Sequence, residues 1–261
     1  MPDVSLIIIS WKMRDFVERL LTSFQKFSSG FTYELIFIDN RSCDGTVEML
    51  EEKFPEAILI KNSENKGVAP ARNQGLRIAK GKYILILDAD MEIKENSIYQ
   101  LFDFMEKTPD AGLVGCKLTF SDGTLQYTCK RFPKLSALLA RRLEGIGFVK
   151  NSRTLNDHIM KEWDHNSIAE VDYVIGACQF FRREMINLIG YYDEKIFYGP
   201  EDLDFCLRIW KKNYKVFYYP FTSIVHHEQR ITKKNLFSMI SFKHLAGIFY
   251  IFKKYNYSIK R

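Results

Sequence analysis

The chain alternates short apolar runs with segments whose apolar residues return every three or four positions. Val4–Trp11 is a continuous β-prone run, which predicts a strand buried on both faces. In Arg14–Phe27 the apolar Phe16, Val17, Leu20, Leu21 and Phe24 keep helical spacing. The alternation then predicts strands over Glu34–Ile38, Ile58–Lys61 and Tyr83–Leu87, and helices over Thr46–Lys53, Val68–Lys80 and Ser97–Lys107. Asp44 or Thr46 is expected to cap the second helix, and Gly81 stands where a helix-ending glycine belongs. Strands alternating with helices imply βαβ units, and so an α/β fold with a mostly parallel central sheet flanked by helices. Right-handed crossovers then gather the carboxyl ends of the strands, and a ligand site, along one edge.

After residue 110 the rhythm breaks. Gly112–Leu118, Val171–Phe181 and Lys215–Tyr219 read as strands and Leu203–Lys212 as a helix. Residues 121–170 are irregular, with Lys130, Arg131, Phe132, Arg141, Arg142 and Trp163 among them. The last 26 residues predict one or two helices.

Composition narrows the picture. With 261 residues, 46% apolar and 27% charged, the chain can bury a large core, which excludes collagen-like and wholly disordered classes. Its five cysteines lie no closer than 13 residues apart and form no CxxC, against a disulfide framework or zinc knuckle and for a reducing compartment. The net charge of +6 is local: residues 230–261 hold eight Lys or Arg and no acid, leaving thirty basic against thirty-two acidic groups before them. Leu236, Phe237, Met239, Ile240, Phe242, Leu245, Ile248, Phe249, Ile251 and Phe252 lie between Lys233-Lys234 and Lys253-Lys254. Basic residues interleaved with apolar ones at one end point to an anionic membrane surface rather than to nucleic acid. A solvated tail and a buried core helix are the alternatives. No apolar run reaches the roughly 18 residues of a spanning helix, and Met1-Pro2-Asp3 lacks the positive start of a secretory signal. The expectation is a cytoplasmic protein, peripheral on the inner face of the membrane through residues 230–261.

Several motifs are absent. Gly145-Ile146-Gly147 lacks the third glycine of a dinucleotide fingerprint, Gly81-Lys82 is no P-loop, and neither HExxH nor GxSxG occurs. What remains is acidic. Leu85-Ile86-Leu87 ends in Asp88-Ala89-Asp90, whose two carboxylates at i and i+2 point the same way from an extended backbone. Such a pair repels unless a cation intervenes, and oxygen ligands suit Mg²⁺ or Mn²⁺ shared with a substrate's phosphates; turn capping is the alternative. Ile36-Phe37-Ile38 likewise ends in Asp39-Asn40, where a carboxylate can bond a ribose hydroxyl or simply shape the turn. Gly199-Pro200 precedes Glu201, Asp202 and Asp204, which serve either as helix-start charges or, beside Phe197 and Tyr198, as a general base. His226-His227 closes the series, and in a strand only one of the two faces a given site.

The order of these signals resembles the family 2 glycosyltransferases with the GT-A fold, over about residues 3–228. The resemblance is carried by Val4–Trp11, Ile36–Thr46, Asn65–Gly75, Leu87–Met91 and Val174–Leu207, and is nearest to the bacterial rhamnosyltransferase-like enzymes of surface-polysaccharide assembly. It implies a catalytic domain over residues 1–228, with a nucleotide-sugar half (1–110) and an acceptor half (111–228), followed by a basic helical segment (229–261). It implies Ser10 and Asp39 at the base and ribose, Asn65, Gly67 and Arg72 beside the donor, and Asp88 and Asp90 at the donor and metal. Asp202 would be the general base with Glu201 at the acceptor, and His226, or else His227, a metal contact. The activity implied is inverting, metal-dependent transfer from a nucleotide-diphosphate sugar to a saccharide or lipid-linked saccharide acceptor. Residues 121–170 would shape the acceptor site. Two departures stand out: Asp88-Ala89-Asp90 replaces the Asn-Pro-Asp common in the rhamnosyl group, and Gln229-Arg230 stands where the family often has glycine. Two alternatives remain. A pyrophosphorylase-like enzyme would want a glycine-rich basic signature that Ser10-Trp11-Lys12-Met13-Arg14 lacks, and a non-catalytic nucleotide-sugar binder or assembly protein would show damaged acidic positions.

Overall fold

The computed structural model describes residues 1–142, 152–229 and 238–261, with the side chains of 139–142 left aside. The features noted at Gly145-Ile146-Gly147, Arg230, Lys233, Lys234, Leu236 and Phe237, and the side chains of Arg141 and Arg142, lie outside the described residues. The first half is a run of βα units: β1 (Val4–Ser10), α1 (Arg14–Phe27), β2 (Tyr33–Asp39), α2 (Thr46–Lys53), β3 (Ile58–Lys61), α3 (Val68–Ile78), β4 (Tyr83–Asp88), β5 (Met91–Ile93) and α4 (Ser97–Lys107). The second half adds β6 (Ala111–Thr119), β7 (Leu125–Gln126), β8 (Cys129–Lys130), α5 (Leu135–Arg142), α6 (Arg153–His158), β9 (Ala169–Glu170) and β10 (Tyr173–Val174). It closes with β11 (Cys178–Arg182), α7 (Glu184–Ile189), α8 (Glu201–Trp210), β12 (Lys215–His226) and α9 (Met239–Lys254).

The expected α/β architecture, a central and mostly parallel sheet flanked by helices, is present. The main sheet runs β3-β2-β1-β4-β11-β6-β12-β5. β3, β2, β1 and β4 are parallel, as is the β6–β12 pair, whereas β11 runs antiparallel to both β4 and β6 and β5 antiparallel to β12. Both faces are covered, as the continuous apolar strands require. Leu6 and Ile8 of β1 pack with Leu20 and Phe24 of α1 and Leu101 of α4. Ile7 faces the other way, with Leu76 of α3, Leu203 of α8 and Ile248 of α9. Leu6, Ile7 and Ile8 are fully buried, each contributing about 1.5–3 kcal/mol.

Four expectations need correction. The apolar run Val171–Phe181 divides between two strands, because Tyr173–Val174 (β10) pairs with β8 in a separate two-stranded sheet, where the Ile175 amide also donates to the Thr128 carbonyl, while β11 joins the main sheet. The strand expected to end at Tyr219 continues to His226: Pro220 lies in an irregularity where Tyr219 opposes Cys116 and Ser223 opposes Lys117. A proline without an amide proton is tolerated where ladder bonds are already interrupted. The third helix stops at Ile78 with Ala79 as its cap, so Gly81 does not end it. Gly81 instead sits where a Cβ would lie 2.4 Å from the Ser5 nitrogen. Neither expected residue caps α2 by its side chain; Gly45 holds the cap position while Asp44 accepts from the Thr46 amide at 3.1 Å.

Candidate active site

Register brings the acidic strand ends together. Ser10 opposes Asp39 and Ile9 opposes Asp88, so β1, β2 and β4 all end on one edge. β5 lies antiparallel to β12 with Met91 opposite His226, and the His227 amide donates to the Asp90 carbonyl at 2.8 Å. That pairing, distant in sequence, sets His226 beside the Asp88-Ala89-Asp90 turn. One ligand atom each from Asp88, Asp90 and His226 lies within 4.8 Å of the other two. They open on a cleft of about 350 Å³ that Ser10, Asn65, Gly67, Arg72, Glu201 and Asp202 also line.

Arg72 organises the charge. It is 2% exposed and donates to Asp88 at 2.9 Å, to Glu201 at 2.9 Å and to the Gly176 carbonyl at 2.8 Å. Burial alone would weaken its hold on the proton, but Asp88 and then Glu201 outweigh burial, and its pKa is raised. Gly176 is required by this approach, since a Cβ there would lie 2.5 Å from Arg72. Glu201 begins α8, and burial pushes its carboxyl up to about 7 against the pull of Arg72. Its Oε2 is buried with no hydrogen-bond partner among the described residues. Burial also raises Asp88, again opposed by Arg72. Asp202 is held differently: one oxygen accepts from the Gly176 amide at 3.0 Å and the other from Leu203 at 2.7 Å.

The loop before α3 is built from amides. Asn65 accepts from the Gly67 amide at 2.9 Å and from Asn40 at 3.1 Å. Gly67 has φ +88° and a Cβ there would meet the Phe197 carbonyl at 2.6 Å, so only glycine fits. Asp39 is not among the residues lining this cleft; it is buried and accepts from the Ser42 amide at 3.1 Å, while its neighbour Asn40 lines the cavity. His226 and His227 diverge as strand neighbours must. His226 is buried with Nε2 3.3 Å from Asp90, whose hydrogen bond raises its pKa against the lowering effect of burial. His227 turns away to Glu92 and Ser121.

The donor set of two carboxylates and an imidazole nitrogen suits Mn²⁺ or Mg²⁺. Of the irregular stretch 121–170, Lys130 and Leu138 reach the cleft among the described residues. Sequence reasoning placed Ile240 and Ile248 in the C-terminal apolar segment but not at the cleft, and did not name His244; all three bring α9 onto the same cavity. Only their helical spacing in an apolar stretch could have signalled it.

A sequence model of glycosyl transferase family 2 matches residues 5–189, and one of the N-terminal domain of galactosyltransferase matches residues 160–232. An N-acetylglucosaminyl-diphospho-decaprenol L-rhamnosyltransferase of Mycobacterium tuberculosis is 22% identical over 268 residues, covering 98% of this chain and 86% of that one. A poly-beta-1,6-N-acetyl-D-glucosamine synthase of Staphylococcus aureus is 24% identical over 189 residues, covering 72% and 41%. Among solved structures, GalNAc-T7 with UDP, GalNAc and Mn²⁺ superposes with a TM-score of 0.66 at 18% identity, over 87% of this chain and 43% of that one. A Pyrobaculum calidifontis mannosyltransferase with GDP-Man and Mn²⁺ gives 0.60 at 21%, over 88% and 58%. The chain thus spans less than two thirds of either solved enzyme, and what it shares with them is the GT-A fold. Because the family model runs from β1 through α7, across both halves of the sheet that frames the cleft, the chain belongs to glycosyl transferase family 2.

Proposed function

We propose that the protein transfers a sugar from a nucleoside diphosphate to a saccharide acceptor in cell-surface glycan synthesis, with inversion at the anomeric carbon. The observation that carries this is the convergence of Asp88, Asp90 and His226 within 4.8 Å on the cleft that also holds Asp202. Asp88, Asp90 and His226 would hold Mn²⁺ or Mg²⁺; when bound, the cation neutralises charge developing on the leaving diphosphate. Ser10 and the Asn65–Gly67 loop line the donor half. Asp202, oriented by the Gly176 and Leu203 amides, takes the acceptor hydroxyl proton as that oxygen bonds the anomeric carbon and the carbon–phosphate-oxygen bond breaks. A single displacement of this kind inverts the centre. Arg72 offsets one of the two charges of Asp88 and Glu201, which lessens the repulsion an anionic donor meets in the cleft.

A lipid-linked acceptor at a membrane surface fits the rest of the molecule. Leu138, Ile175, Ile240 and Ile248 make the acceptor side apolar. On the face of α9 away from the cleft, Met239, Phe242 and Phe249 are 69%, 55% and 46% exposed, with Lys253 exposed beside them. Among the described residues no helix is long and apolar enough to cross a membrane, and a helix lying on the surface needs no such length.

The test is nucleoside diphosphate release with and without acceptor, after thermal-shift screening identifies the donor in the presence of Mn²⁺. Asp202→Asn should keep donor affinity and lose transfer by roughly 10²–10⁴-fold. Asp90→Ala should weaken donor binding only when metal is present. Wild-type turnover in Asp202→Asn, or metal-independent donor binding in the wild type, refutes the assignment.

A further inference from the structure

His226 can serve as a ligand only in one of its two neutral tautomers. A metal needs the lone pair of Nε2, the nitrogen that faces Asp90. The proton must then sit on Nδ1 and needs an acceptor, because both groups are buried. His226 is 6% exposed, and its Nδ1 lies 2.8 Å from Oε1 of Gln126, itself 7% exposed. An amide carbonyl oxygen only accepts, so this contact places the proton on Nδ1.

The position of Gln126 is built. It lies in β7 opposite Leu118 of β6, at the end of a tight return. There Phe120 and Thr124 are joined by a 2.9 Å backbone bond, and Asp122 accepts from the Thr124 amide at 2.9 Å. The hairpin edge thus delivers one buried amide to the back of one imidazole.

We infer that Gln126 is a positioning residue that locks His226 in the tautomer with Nε2 free for a divalent cation. The Nε2–H contact with Asp90 belongs to the charged ring; when the ring is neutral and Gln126 does not hold the remaining proton on Nδ1, the Nε2–H form keeps that bond and ties up two of the three groups at once. This rests on the metal site proposed above, but the tautomer itself is readable without any metal.

The experiment uses the full chain as Gln126→Leu and Gln126→Glu. Long-range ¹⁵N–¹H spectra of the metal-free protein in mildly alkaline buffer report which His226 nitrogen carries the proton. Mn²⁺ titration followed by electron paramagnetic resonance reports affinity. Wild type and Gln126→Glu, which keeps an acceptor oxygen, should show the proton on Nδ1. Gln126→Leu should shift protons to Nε2 and bind Mn²⁺ roughly 10–100-fold more weakly, the usual loss for a support of this kind. Unchanged spectra and affinity in Gln126→Leu would overturn the inference. Asp90→Ala separates the two ideas: if it binds Mn²⁺ as wild type does, the metal site is misplaced, whereas loss there with no change in Gln126→Leu defeats only the role of Gln126. Should Gln126→Leu not fold, a shift of the proton to Nε2 in Gln126→Ala supports the role and an unshifted proton defeats it.

Discussion

Arg72→Met removes one cation from between two carboxylates and keeps most of the side-chain length. Arg72 is 2% exposed and bonds Glu201 and Asp88, each at 2.9 Å. The Glu201 side chain is 7% exposed and already has one oxygen without a partner, so it has little water to turn to. Removing one member of such a buried pair costs about 3–5 kcal/mol. Asp88, with its side chain 35% exposed, adds less because solvent screens it. The loss should depend on pH. Burial raises Glu201 to about 7 in the folded state, from an ordinary 4.5. The stability of its protonated form is therefore fully present below about 4.5 and is lost as pH rises through about 7, since the unfolded chain releases that proton first. Without Arg72 the folded value climbs further and the decline extends upward. Urea denaturation should show a deficit that is smallest in acid and grows toward alkaline pH. An equal deficit at both ends, or one below about 1 kcal/mol throughout, refutes this account of the buried charge.

Two further outcomes follow from geometry. Gly67→Ala must hold φ +88° with its Cβ 2.6 Å from the Phe197 carbonyl; it should destabilise the fold by about 1–3 kcal/mol and weaken donor binding, and an unchanged melting temperature would contradict the fit. Replacing Phe242 and Phe249 together by Glu should abolish sedimentation with vesicles rich in phosphatidylglycerol while leaving the melting temperature nearly unchanged. Wild-type binding should fall with salt, at about 1 kcal/mol per lysine near the surface, and a wild type that ignores such vesicles defeats the membrane contact.

The first half of the fold was legible because its strands are buried on both faces and its helices on one, so each leaves a different period. Arg14–Phe27, Thr46–Lys53, Ile58–Lys61 and Ser97–Lys107 are observed with the expected bounds. The second half was not, because apolar content alone does not mark where a chain leaves one strand partner for another. Val171–Phe181 reads as one strand and is divided between two, in different sheets. Asp88, Asp90 and Asp202 stood out as acids at the ends of apolar or aromatic runs. Gln126 and His244 carry no such contrast, and a pairing such as β5 with β12, across more than a hundred residues, leaves no local trace.

The acidic cluster at the start of α8 shows how burial separates identical chemistry into distinct tasks. Glu201 and Asp202 face the cleft, one against Arg72 and one on backbone amides. Asp204 points the other way and is fully buried. It accepts from Arg208 at 2.8 Å and from Lys254 and Tyr255 at 2.7 Å each. Lys254 and Tyr255 are the end of α9 and the residue after it, so Asp204 ties the last helix to the helix that carries Asp202. Gly247 of α9 packs on the same turn, where a Cβ would lie 2.7 Å from the Gly199 carbonyl. The basic residues of the C-terminal segment therefore divide by geometry. Lys254 is engaged by Asp193 and Asp204, and Lys243 lies 3.6 Å over the Phe197 ring, whereas the exposed Lys253 is the lysine of this helix that an anionic surface can meet. On the proposed reading, one helix would meet the acceptor from its inner side and the bilayer from its outer side, about one helix diameter, or 10–12 Å, apart.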